Sequence, residues 1–228
     1  MTTQSHTLTR TDMKPAMTNV DRSRNFWNRT ARKYAKSKIG DQAGYKRSLE
    51  RTRDFLSQDM DVVEIGCGTG TTALYHAPHV AHVTGTDISP EMVDIAREKT
   101  ADSGPLNADF IAAVADDLPF PAGRFDIAMG HNIYHLVEDV DAGLQEAHRV
   151  TKTGGLFITK TPCLGEMSWL MRKIVLPVMQ QVYGVATLHT FTIDEYKKAL
   201  ERTGFRIETV EFHGTKAGDN RPFIVARK

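Results

Sequence analysis

The sequence is short of several features that would define a protein by themselves. It has two cysteines, Cys67 and Cys163, in 228 residues, too few for a disulfide framework and in keeping with a reducing cytoplasm. Neither has a second cysteine or a histidine at metal-ligand spacing, so no metal centre is expected. No uninterrupted apolar stretch reaches the length that spans a bilayer. Neither sign of charge dominates: 29 basic and 28 acidic residues leave a formal net charge of +1, which argues against an overall electrostatic signature for nucleic acid or membrane. The Thr-rich, polar opening Met1 to Asp21 lacks the apolar core of a signal peptide and reads as a flexible tail. Repeats and low-complexity blocks are missing too. What remains, 22–228, suits one α/β domain with a sizeable core.

The order of elements is readable. Helical patterns over 25–37 and 45–57 precede apolar runs near 61–66, 81–87, 107–113, 125–130, 155–160, 206–212 and 223–227, with helices between most of them. That alternation predicts a doubly wound, mostly parallel seven-stranded sheet. The last two strands are close in sequence and are expected to pair antiparallel at its edge.

The densest signal is Val62-Val63-Glu64-Ile65-Gly66-Cys67-Gly68-Thr69-Gly70, a strand that breaks into alternating glycines where a helix should start. Glycines there permit positive φ and close approach of a ligand to the backbone. The spacing G-x-G-x-G departs from the G-x-G-x-x-G of dinucleotide proteins, and no lysine follows Gly70 to make a phosphate loop. Glu64 is costly to bury without a partner, and an acceptor-only side chain suits a ligand ammonium or backbone donors better than a pyrophosphate. About twenty residues on, a second strand ends in Asp87, where nucleotide-binding sheets place an acid on the ribose hydroxyls. The turn alone leaves a dinucleotide open, and the alternative reading of Asp87 is a helix cap; Ser89 and Pro90 after it fit an N-cap and first helical position.

Five motifs in order, V-V-E-I-G-C-G-T-G, T-G-T-D-I-S-P-E-M, D-D-L-P-F-P-A-G-R-F-D, N-I-Y-H-L and T-K-T-G-G-L-F-I, closely resemble the class I S-adenosylmethionine-dependent methyltransferases, especially the quinone-biosynthesis and small-molecule group. The resemblance runs from about Asp61 to Thr159. It implies a Rossmann-like methyltransferase fold with S-adenosylmethionine as cofactor and S-adenosylhomocysteine as product. It implies further that Glu64 with Gly66, Cys67, Gly68 and Gly70 holds the amino-acid end, that Asp87 takes the ribose, and that Ile88 or Met92 packs on the adenine. Ala115 and Asp116 fall where the family contacts the adenine edge, although Val114 stands where an acid or serine is common. Gly130 ends the fourth strand beside the site.

After that strand, His131 and His135 are candidates to position an acceptor or take its proton; the alternative for His135 is to anchor its loop by a hydrogen bond. Tyr134 lies between them. The chain has no Pro-Pro-aromatic after the fourth strand, so DNA is not an expected acceptor, and Cys163 in Thr161-Pro162-Cys163 reads as a loop thiol. Substrate choice is expected from two cap segments. One is 22–57, with Trp27, Tyr34 and Tyr45. The other is a helical lid insertion over 164–190, with Trp169, Arg172, Lys173 and many aliphatics, which Pro177 should break or kink. That insertion could line a pocket, rest on a membrane surface, or pack as a lid. The expected activity is methylation of a small acceptor, lipophilic if the insertion lines its pocket. The alternatives are methylation of RNA or protein and a non-catalytic cofactor-binding scaffold. The oligomeric state is open.

Overall fold

The computed structural model describes residues 17–103, 107–184 and 187–228. Its strands are β1 (Asp61–Ile65), β2 (His82–Asp87), β3 (Ala108–Ala112), β4 (Phe125–His131), β5 (Thr151–Lys160), β6 (Arg206–Glu211) and β7 (Phe223–Arg227). They form one seven-stranded sheet in the order β3-β2-β1-β4-β5-β7-β6. β1 to β5 are parallel; β7 runs antiparallel to both β5 and β6. The expected antiparallel pair is therefore present, with β7 inside and β6 at the edge.

Side-chain alternation sends each strand's apolar residues into two layers. Val63, Ile65, Ala128, Phe157 and Ile224 face α5 (Val140–Val150) and α7 (Ile193–Thr203), while Val62, Ile127, Met129, Ile158 and Val225 face α3 (Thr71–His76) and α4 (Pro90–Ser103). Strands covered on both sides need apolar residues at successive positions, which is why they read as runs rather than alternations.

Two helices precede the sheet, α1 (Asn19–Ala35) and α2 (Gln42–Arg53). Residues 1–16 of the expected tail lie outside the described residues. Its last residues are helical instead, because Thr18 and Asp21 close a capping box over the first turn of α1. α1 lies across α4 through a small cluster of Ala31, Met92 and Ile95 under Trp27, with Arg32 bidentate on Glu98 at 2.6 and 2.7 Å.

The 164–190 segment opens with a 3₁₀ turn (Leu164–Glu166), continues as a π-helical turn (Met171–Val175) and ends in α6 (Leu176–Tyr183); residues 185–186 are outside the described residues. Pro177 does not break it. The Leu176 N–H bonds the Met171 carbonyl, one residue wider than an α-turn. Pro177, which has no N–H to contribute, falls in the first turn of α6, where a proline is tolerated. No described helix is long and apolar enough to cross a membrane.

Candidate cofactor site

The carboxyl ends of β1, β2 and β4 meet at the glycine turn. Gly66, Gly68 and Gly70 all have positive φ, at 70°, 53° and 74°. A Cβ on Gly66 would strike Ile133 at 2.6 Å and one on Gly70 would strike Ala96 and Phe110 at 2.8 Å, whereas the nearest atom to a Cβ on Gly68 is Tyr34 Cε1 at 3.8 Å. The outer two glycines are thus demanded by the protein's own packing, and Gly68 alone faces open space.

Asp87 ties the turn to the second strand. Its Oδ2 accepts the Gly68 N–H at 2.9 Å and its Oδ1 accepts the Ser89 N–H at 2.9 Å. Burial nevertheless pushes its carboxyl up to about 6. Ser89 caps α4, accepting the Met92 N–H and donating to Asn28 of α1 at 2.7 Å. Asp87 and Gly66 line a narrow cleft closed over by Trp27 and Val20 of α1 and walled by Ile88, Ala115 and Asp116.

Glu64 is 2% exposed. Desolvation raises its carboxyl, opposed by nearby His131 and by the Ala73 N–H in the first turn of α3. Its Oε2 has no hydrogen-bond partner, nor has Nδ1 of His131. That Nδ1 lies 3.7 Å from Oε1 of Glu64, too far for a hydrogen bond. Glu64 thus presents a buried acceptor oxygen that no donor among the described residues satisfies. This fits an ammonium-bearing ligand: the amino-acid end of S-adenosylmethionine would sit at Glu64 beside Gly68, and its ribose at Asp87, whose oxygens retain free lone pairs.

Tyr34 and Tyr45 lie near the glycine turn and the start of α3 rather than in the cleft wall. Both phenols are raised by burial, with Glu64 and, for Tyr34, Asp87 adding to the shift, and the Tyr45 hydroxyl pairs with Thr72 Oγ1 at 3.0 Å. Trp27 meets Tyr34 edge-on at 6.1 Å. Tyr34 thus lies over the open side of Gly68, while Tyr45 is tied to the first turn of α3.

Several expected assignments are corrected. Tyr134 is fully buried, its ring 5.7 Å from Phe157 and 6.2 Å from Tyr196, so it offers nothing to a substrate. It reaches the core because Gly130 has no side chain: a Cβ there would lie 2.6 Å from its ring. Packing alone thus requires a glycine at 130. Met92 is 2% exposed beneath α1 and leaves the cleft wall to Ile88. Cys67 turns its thiol into the core against Gly85 and donates it to the Gly68 carbonyl at 3.6 Å, inside the turn's own packing; burial drives the thiol well above its usual range. His135 bonds Thr161 Oγ1 at 3.2 Å, and burial, aided by His189, lowers it to about 4. It anchors its loop and is poorly placed as a base. Trp169 is 64% exposed and does not line the cleft.

Lys99 was not legible as a site residue. From α4 it donates to the Thr69 carbonyl and Thr69 Oγ1 at 2.8 Å each and to Thr71 Oγ1 at 3.0 Å. All three N–H groups of the ammonium are spent on the turn, across a separation of about thirty residues that no local pattern reveals.

A seven-stranded sheet in this order, with an acid ending β2, is the Rossmann-like fold of methyltransferases of known structure. Residues 62–155 match the family model described as a methyltransferase domain. Among curated relatives, an uncharacterized methyltransferase, YcgJ, of Bacillus subtilis is 37% identical over 97 residues, 42% of this chain and 38% of its own. A demethylmenaquinone methyltransferase of Chlorobaculum tepidum is 30% identical over 146 residues, 62% of this chain and 58% of its own. The chain thus spans well under two thirds of these relatives. A crystal structure of an S-adenosylmethionine-dependent methyltransferase from Mesorhizobium loti superposes with a TM-score of 0.68 at 25% identity, covering 82% of this chain and 99% of that one.

Proposed function

We propose that the protein transfers a methyl group from S-adenosylmethionine to a small, lipophilic acceptor in the cytoplasm and releases S-adenosylhomocysteine. The observation that carries this reading is the buried, unpaired Glu64 oxygen at the end of β1, together with a glycine turn whose Gly68 N–H is held by Asp87, itself in the wall of the cleft. When bound, S-adenosylmethionine supplies a sulfonium methyl open to in-line displacement.

The protein's residues then have defined work. Glu64 accepts the ligand ammonium, and Asp87 accepts ribose hydroxyls while holding the turn. Ile88 and Ala115 exclude water from the adenine, and Asp116 reaches its polar edge. Trp27, Tyr34 and Tyr45 hold an apolar acceptor against the donor end, so positioning supplies much of the rate. His131 is the remaining candidate to take an acceptor proton, through the nitrogen that has no partner of its own. The relative named a demethylmenaquinone methyltransferase supports a ring-bearing, lipid-soluble acceptor.

The test is titration calorimetry with S-adenosylhomocysteine, followed by transfer of labelled methyl from S-adenosylmethionine into a lipid extract. Binding and a labelled lipid-soluble product are expected. Absence of binding overturns the cofactor assignment, and label confined to RNA or protein overturns the acceptor class.

A further inference from the structure

The helix running from Trp169 through α6 has one partly covered flank, with Met171, Arg172, Val175 and Leu176, and one exposed flank. Its base is fixed to the start of α7: the Gly165 N–H bonds the Phe191 carbonyl at 2.8 Å and Glu166 accepts the Ile193 N–H at 2.9 Å. Arg172, on the inward flank, lies close enough to Glu195 to lower that carboxylate. Beyond this base, exposed residues recur in pairs every four positions, as Trp169 and Leu170, Lys173 and Ile174, Pro177 and Val178, Gln181 and Val182. They form one continuous face about 20 Å long at the α-helical rise. Its large side chains are far from covered: Trp169 64%, Leu170 56%, Val178 56% and Val182 72% exposed. Isolated exposed aliphatics are ordinary, but a contiguous ridge of them marks an interaction surface.

The composition of the ridge selects its partner. From Met167 to Gly184 the sequence contains Arg172 and Lys173 and no acidic residue. Lys173 sits on the exposed face beside the aliphatic row, and Trp169 stands at its end. A cation and an indole flanking an aliphatic row match the layering of a bilayer interface, with headgroup phosphates outside and acyl chains beneath. We propose that this face docks on an anionic lipid surface, with Leu170, Ile174, Val178 and Val182 entering the acyl boundary and Lys173 remaining among the headgroups. This goes beyond the methyltransferase reading and does not rest on it, because it uses none of the cleft residues.

The test is co-sedimentation of the full chain with vesicles of phosphatidylcholine alone and with about one third phosphatidylglycerol. Binding to the anionic vesicles, weakened by salt, is expected. The double variant Ile174→Glu/Val178→Glu should remain in the supernatant while its melting temperature and its shift with S-adenosylhomocysteine stay as in the parent. Lys173→Glu should lose the preference for anionic vesicles. A parent protein that sediments with neither vesicle overturns the proposal. So does a dimer in analytical ultracentrifugation that the double variant abolishes without any vesicle binding, since the ridge would then serve a second copy. A failed cofactor titration leaves this result untouched, so the two readings fail separately.

Discussion

The cofactor turn and the 169–183 helix are built on opposite terms. Around Gly66 to Gly70 the protein spends its own groups on itself: Asp87 accepts two backbone N–H groups, Lys99 donates three times, and two of the three glycines are wedged against neighbouring side chains. The helix leaves its apolar row to solvent. A preorganised turn gains affinity because little is left to order on binding; an unburied ridge adds nothing until something covers it. Rigidity lies where the donor is held, and freedom where partners differ.

Substitutions at the turn should break this contrast most strongly. Gly68→Val places a β-branched residue at positive φ and fills the one open side, and loss of S-adenosylhomocysteine binding by at least about a hundredfold is expected in calorimetry. Unchanged affinity would mean that the ligand does not approach there. His131→Ala should lower kcat on the order of a hundredfold while cofactor affinity stays near normal; full turnover would leave the histidine as an electrostatic neighbour of Glu64 only. Lys99→Met should weaken cofactor binding by roughly tenfold through a loosened turn, with kcat at saturation preserved and Lys99→Arg recovering part of the loss. A Tm change without an affinity change would make Lys99 merely structural.

The remaining predictions concern pH. Asp87 must be ionised to accept both ribose hydroxyls fully, and burial holds it at about 6. Affinity for S-adenosylhomocysteine should therefore fall as pH drops through 6, and a flat profile down to pH 5 would remove Asp87 from the contact. His76 is fully buried with neither ring nitrogen hydrogen-bonded, and desolvation lowers it to about 3. The unfolded chain thus binds the proton that the native state refuses, and stability from this group is lost as pH falls below about 6.5. His76→Phe should raise Tm by about 2–4 °C at pH 8 and by more at pH 5. An equal gain at both would show that the imidazole is not held neutral.

Most of the sheet was legible because parallel strands buried on both faces must be apolar throughout, and Glu64, Gly68 and Asp87 were legible because an acid or a glycine interrupting such a run has few other reasons to be there. Tyr134 and Met92 misled because a polar-tipped or flexible side chain beside a motif looks the same whether it points into the cleft or the core. The missing Cβ of Gly130 and the passage of α1 over α4 decide the matter, and both are tertiary facts. Lys99 was hidden by distance along the chain. The helix that survives Pro177 was missed because the widened turn before it has no sequence signature.

The placement of β7 sets the order in which the domain can be completed on a ribosome. β6 is made before β7 yet pairs only with it, and the four residues Phe223 to Ala226 are wholly buried between β5 and β6. While β7 is still being synthesised, β5 presents an open edge and β6 has no partner. The sheet is therefore closed from the inside, by a strand made after both of its neighbours.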